Sequence, residues 1–132
     1  MNVLSNITPI NATGEKIFSI VTNCNNFEKI AASIVQNWHS EETFCSFTLQ
    51  GIVNVTLRIK EITNYSKIVY QIENNHQIPA TITLSLEENQ NLNNLQIAAA
   101  MEVPMLLSGM VKKPLENFVA VLAEGIKKEA EK

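Results

Sequence analysis

The residue types that could do chemistry in this 132-residue chain are few and scattered. His39 stands beside Trp38 and close to Glu41 and Glu42, and His76 is the other histidine. An imidazole with neighbouring carboxylates is the donor set of a zinc site or a general base. Such a site needs three or four groups converging on one point, which a single histidine in a turn does not supply. Cys24 and Cys45 have neither redox nor metal-ligand spacing. The chain carries sixteen asparagines and no aspartate, so Asp-led metal loops and aspartate catalysis are excluded outright. Asparagine suits turns instead, because it tolerates the left-handed region and hydrogen-bonds its own backbone. No metal, cofactor or catalytic residue is expected.

The charge balance excludes further classes. Net charge is −3 with a pI near 5.4, and Arg58 is the lone arginine. Nucleic-acid binding therefore lacks both the basic footprint and the bidentate side chains it needs. No run approaches the roughly 20 apolar residues of a membrane span. The opening Met1-Asn2-Val3-Leu4-Ser5-Asn6 has no basic start and no apolar core, so no secretory signal is expected. Reduced thiols in a cytoplasmic protein follow. The sequons at Asn6, Asn11, Asn54 and Asn64 carry no meaning without secretion.

The elements that must position any site are clearer. Val3 to Ile10 reads as a first strand. Asn11 is placed to cap a short helix through Val21, and Asn25 with Glu28 forms a capping-box pattern for a second, Asn26 to Ala32. Six runs of period two then follow: Ile34–His39, Thr43–Gln50, Ile52–Thr63, Lys67–Glu73, Ala80–Leu86 and Leu92–Val103. Short loops between them imply a meander, whose successive turns fall at opposite ends of the sheet. The Ser40 turn and the His76 loop are then too far apart to share a metal. After Val103-Pro104 the spacing becomes helical, with Leu107, Val111, Leu115, Phe118, Val119, Leu122 and Ile126 on one stripe. Pro114 inside that stripe predicts a kink near Gly109 to Lys113, or two helical pieces.

This order predicts an α+β fold over residues 1–132 as one domain: a seven-stranded curved antiparallel sheet, two short helices after strand 1, and a long C-terminal helix gripped by the sheet. Its details resemble the START-like helix-grip superfamily (SRPBCC). The stretch Asn11-Ala12-Thr13-Gly14-Glu15-Lys16-Ile17-Phe18 followed by Asn25-Asn26-Phe27-Glu28-Lys29-Ile30 is similar to that superfamily's strand-to-helix-pair segment. Val103-Pro104-Met105 and Lys112-Lys113-Pro114-Leu115-Glu116-Asn117-Phe118 resemble the start of the final helix in small bacterial members. Among these are the polyketide cyclase-like and carbon monoxide dehydrogenase G-like groups. The resemblance implies an apolar cavity between sheet and helix, and packing motifs of this kind are silent about activity.

If the apolar strand faces look toward the helix, the inner lining includes Phe47, Val53, Val55, Leu57, Ile59, Tyr70, Leu84, Ile97, Ala99 and Met101. Met105, Met110, Phe118 and Leu122 close it from the helix. No ionisable group except Tyr70 falls on that face, and a tyrosine near pKa ~10 is a poor base at neutral pH. Arg58 and Glu102 alternate outward. The expectation is a non-catalytic binder of a small hydrophobic molecule, a lipid, isoprenoid or aromatic, with Tyr70 the candidate polar contact. Two alternatives stand beside it. One is a ligand-free docking module for a protein partner or a second copy, using an apolar patch around Trp38, Met105 and Met110. The other is a cyclase- or dehydratase-like enzyme, which would need a charged side chain inside the cavity.

Overall fold

The computed structural model describes residues 1–49, 51, 53–74, 77–90 and 92–132. The ends of two expected strands, Gln50 and Ile52, and His76 with its neighbour Asn75 lie outside the described residues, as does Asn91. The chain opens with two three-residue strands, β1 (Asn2–Leu4) and β2 (Thr8–Ile10). Helix α1 (Gly14–Val21), a 3₁₀ turn (Cys24–Asn26) and the one-turn helix α2 (Phe27–Ile30) follow. The meander comprises β3 (Val35–Ser40), β4 (Phe44–Leu49), β5 (Val53–Thr63), β6 (Lys67–Asn74), β7 (Ala80–Asn89) and β8 (Leu92–Met101). Helix α3 (Met105–Ala130) ends the chain. The strands form one antiparallel sheet in the order β1-β8-β7-β6-β5-β4-β3, with β2 also on β8, and α3 lies in its curve. The α+β helix-grip architecture is as expected.

The sheet has eight strands rather than seven, because the first run is broken. Leu4 pairs with Ala98 and Thr8 with Leu95, so three residues, Ser5 to Ile7, stand opposite two. Ser5 fills the gap in the ladder: its N–H donates to the Ile97 carbonyl (2.8 Å) and its Oγ accepts from the Ile97 N–H (2.9 Å). One extra residue exchanges the faces of everything beyond it. Val3 and Ser5 point inward before the bulge, Thr8 and Ile10 after it, and Ile7 is turned out to 61% exposure. Similar one-residue shifts fall between Gln36 and His39 in β3 and between Ile59 and Glu61 in β5. The β5 shift interrupts the clean alternation expected there, and Ile62 beyond it is exposed. At the β3 shift Asn37 adopts φ 56°, a conformation asparagine accepts more readily than most residues. The shift leaves Trp38 half-buried, stacked on Phe47 at 5.6 Å between ring centroids.

Helix capping also departs from the simplest reading. Thr13, not Asn11, caps α1, accepting from the Lys16 N–H at 3.1 Å. Asn23, not Asn25, caps the following turn, and no side chain caps α2 at its Asn26. Asn25 instead accepts from the Ser40 hydroxyl (2.6 Å) and ties the turn to β3. The buried side chains Ile17, Phe18, Ile20 and Val21 give α1 its packing face.

Of the two outcomes expected at Pro114, a kink or two helical pieces, the second does not occur: α3 is one helix from Met105 to Ala130. Proline removes the bond that would satisfy the Met110 carbonyl, but Met110 is 67% exposed, so water can take its place. The two ends of α3 are held very differently. From Pro114 onward, Leu115, Phe118, Val119, Leu122, Ala123, Ile126 and Ala130 are buried. The last turns are clasped by polar contacts. Lys127 Nζ donates to the Pro9 carbonyl (2.6 Å), the Asn11 N–H to Glu131 (2.9 Å), and Lys29 pairs with Glu129 (3.0 Å). The Asn11 N–H holds the Glu131 carboxyl below its ordinary value, and Lys29 does the same for Glu129. By contrast Met105 and Leu106 are 90% and 93% exposed.

Gly125 sits where α3 meets the end of α2. A Cβ there would lie 2.5 Å from the Ile30 Cγ2 and 2.9 Å from the Ile30 carbonyl oxygen. At Gly109 a Cβ would meet nothing within 4 Å. Gly125→Ala is expected to destabilise by about 1–3 kcal/mol through overpacking, despite the higher helix propensity of alanine. Gly109→Ala should stabilise by up to about 1 kcal/mol. Urea unfolding of the two variants checks both signs, and equal shifts would refute the packing argument.

Candidate functional site

The site that the fold offers is an apolar cleft between the sheet and the first half of α3. Phe47 and Leu49 of β4, Val53, Val55 and Leu57 of β5, Ile72, Ile82 and Met101 form its floor. Val111, Pro114, Leu115 and Phe118 of α3 form its roof. Its position follows from the sheet register. Met101, Ala80, Ile72 and Leu57 make one row across four strands, at the end where β8 stops and α3 begins. Helix α3 leans toward α1, α2, β1, β2 and β8. It reaches the β4 side through Phe118, whose ring lies 5.5 Å from that of Phe47. The free space is about 40 Å³, room for a water molecule or two. All these described lining residues are apolar, so the cleft presents no ionisable side chain.

The residues singled out in the sequence divide into three groups. Phe47, Val55, Leu57, Met101 and Phe118 come together around the cleft. Tyr70, Leu84, Ile97, Ala99 and Leu122 are at most 2% exposed and belong to the closed core farther along the sheet. Met105 and Met110 do not line the cleft; they stand in solvent on the free end of α3. Pro114 and Leu115, left out of the candidate set, turn out to roof it. The signal was present in the helical stripe, which already carried Val111, Leu115 and Phe118 on one face.

Tyr70 is committed elsewhere. Its hydroxyl donates to the Val21 carbonyl at 2.5 Å, one of the last-turn acceptors of α1 that no helical N–H can satisfy. Phe27 packs edge-on against its ring, 5.7 Å between centroids. Burial pushes the phenol well above its ordinary pKa, with Cys24 and Cys45 adding to the shift. Those two thiols are free, buried and hydrogen-bonded to each other. The bond with Cys24, followed by burial, holds the Cys45 thiol far above its usual range. A thiol kept protonated is a poor nucleophile.

The polar residues weighed in the sequence lie outside the cleft. His39 is exposed beside Phe44, at 6.0 Å between rings. Arg58 pairs with Glu73 (2.8 Å) on the outer face and covers the Phe44 ring at 4.9 Å. Glu102 is exposed. Among the described residues no cluster of histidine, cysteine or glutamate could hold a metal. Trp38 Nε1 is the one buried side-chain polar atom among them without a hydrogen-bond partner. It lies on the ring that stacks against Phe47, one residue removed from the cleft wall.

Two outcomes follow from this polar core. Tyr70→Phe strands the Val21 carbonyl and should destabilise by about 1–3 kcal/mol in urea unfolding; an unchanged midpoint would show that water satisfies that carbonyl. Cys24 and Cys45 should both resist an aromatic disulfide reagent at neutral pH in the folded protein and both react once it is denatured. Rapid labelling of either in the native state would contradict their burial.

No protein-family model matches the chain, and no curated protein matches it in sequence. Solved structures match it closely in shape. A START superfamily protein from Mycobacterium smegmatis superposes with a TM-score of 0.74 at 14% identity, over 98% of this chain and 97% of that one. Truncated norcoclaurine synthase from Thalictrum flavum gives 0.76 at 10% identity, over 98% and 93%. The Aha1 dimer from Colwellia psychrerythraea gives 0.71 at 16% identity, over 99% and 96%. At these identities the likeness speaks to architecture alone, and it places this chain in the START-like helix-grip fold.

Proposed function

We propose that the protein binds one small hydrophobic molecule, a lipid, isoprenoid or aromatic, beneath the first half of α3 and does not transform it. The observation that carries this reading is the mismatch between floor and roof. The floor is a wholly apolar sheet surface, while the roof runs from half-buried Val111 to buried Pro114, Leu115 and Phe118, directly after a helix end that the sheet leaves uncovered. Ligand sites commonly measure roughly 300–1,000 Å³, so a guest must enlarge the cleft of about 40 Å³ on entering. Lifting α3 on the N-terminal side of Pro114 withdraws Val111 from the roof and widens the mouth, while Pro114, Leu115 and Phe118 stay packed. There its backbone ladder already lacks one bond, and Met105, Leu106 and Met110 are largely exposed. The clasp at Lys127, Glu129 and Glu131 anchors the far end meanwhile.

Binding then rests on apolar burial, at about 25 cal/mol per Å² removed from water. The absence of an ionisable group from the described lining favours binding over acid–base turnover, although one neighbour of the same fold is named a synthase. The finer kinship suggested by the Lys112–Phe118 stretch, to small bacterial polyketide cyclase-like or carbon monoxide dehydrogenase G-like proteins, accords with a container for an apolar guest. Free, buried Cys24 and Cys45 suit a reducing compartment such as the cytoplasm.

Trp38, the only tryptophan, stacks on cleft-lining Phe47, so its emission reports occupancy directly. Titration with a fluorescent fatty-acid probe should quench Trp38 saturably, and unlabelled fatty acid should displace the probe. Val55→Glu places a carboxylate at a half-buried cleft position and should weaken uptake at least about tenfold, or 1.4 kcal/mol. Absence of saturable uptake by the wild type, together with no small molecule released from natively extracted protein in mass spectrometry, would overturn the proposal.

A further inference from the structure

We infer that the free end of α3 docks this protein on an anionic lipid bilayer. Between Met105 and Val111 the helix carries Met105, Leu106, Leu107 and Met110, at 90%, 93%, 38% and 67% exposure. The side occupied by Gly109 is bare as well, with nothing within 4 Å of a Cβ built there. This end is therefore a free-standing apolar projection with open space on more than one side. A second copy of the chain would need a groove to receive such a shape. The headgroup layer of a bilayer can close around it from all sides. The nine residues from Met105 to Lys113 span about 13 Å at 1.5 Å each, enough to place the first turns roughly 5–10 Å into the interface.

Charge places the boundary. Lys112 and Lys113 are exposed one turn beyond Met110, at headgroup height when the tip is inserted, and no acidic residue stands between Met105 and Leu115. Glu102 and Glu116 flank the segment on either side. The whole chain is acidic, at net −3, so an anionic surface repels it on balance, and at the tip these lysines reverse the local sign. Apolar insertion provides the binding and the lysine pair its orientation. Among the described residues the other exposed large apolar side chains, Leu4, Ile7, Ile62, Tyr65 and Leu92, fall on strands or turns and not on a helix end. No helix among the described residues is long and apolar enough to cross a membrane, so the contact is interfacial. Val111 and Pro114, which roof the cleft, follow directly on the inserted turns, so docking would set the cleft mouth at the lipid surface.

The inference goes beyond ligand binding and stands without it. Vesicle co-sedimentation tests it, using phosphatidylcholine alone and phosphatidylcholine with about one quarter phosphatidylglycerol. The wild type should sediment with the anionic vesicles and less with the neutral ones. Leu106→Ser with Met110→Ser, both exposed and outside the core, should reduce binding at least about tenfold. Lys112→Glu with Lys113→Glu should remove the preference for anionic lipid, and Ile62→Ser should change nothing. Val55→Glu should bind vesicles normally, which separates this result from any failure of ligand uptake. No association of the wild type with either vesicle would overturn the inference, as would undiminished binding by the Leu106/Met110 variant. A concentration-dependent dimer in gel filtration that this variant dissolves, without vesicle binding, would assign the projection to a second copy instead.

Discussion

The stripe from Leu115 to Ile126 on α3 can leave water only if the sheet bends around it, and that burial organises the rest of the molecule. The inward faces of β4 to β8 supply the concave side, in side chains such as Leu57, Ile68, Tyr70, Ile82, Leu84 and Ile97. Helices α1 and α2 complete the wrap, and contact with α2 is close enough that only a glycine fits at position 125. Because the strands deliver one side chain to each face per two residues, a helix gripped in this way needs every strand in phase. Where phase fails, a bulge restores it.

That requirement explains what could and could not be read from the chain. The period-two runs marked six meander strands, and the helical stripe marked α3, because burial writes itself into residue type. Phe47, Val55, Leu57 and Met101 could therefore be placed on the inner face from the alternation alone. The bulges at Ser5–Ile7, Asn37–Trp38 and Lys60 left no comparable mark. One inserted residue hardly changes composition, and its effect appears only in the register with the partner strand. Caps were ambiguous for a related reason. Asn11 and Thr13, or Asn23 and Asn25, are both competent acceptors; the helix starts at Gly14, which puts Thr13 at the cap, and the Asn25 side chain is taken by Ser40. Met105 and Met110 were assigned inward by type, yet the helix begins before the sheet can cover it.

The same geometry divides the interior by polarity. Around Tyr70, Cys24 and Cys45 each buried group has an internal partner, which fixes the α1 end of the core to the sheet. Toward Met101 and Val111 the described lining is apolar throughout, aliphatic and aromatic carbon with the Met101 thioether. On the edge strand β3, stacked on Phe47, the indole nitrogen of Trp38 is buried without a hydrogen-bond partner among the described residues.

Both borders of the sheet are interrupted. On one side the outermost chain is split into β1 and β2 by the Ser5–Ile7 insertion, and on the other β3 is kinked where Asn37 turns left-handed. Neither border presents a long straight row of unpaired amides to a neighbour, which is how open sheets recruit one another into fibres. A chain with 45% hydrophobic residues and a modest net charge thereby gains protection against polymerisation from irregularity rather than from electrostatic repulsion.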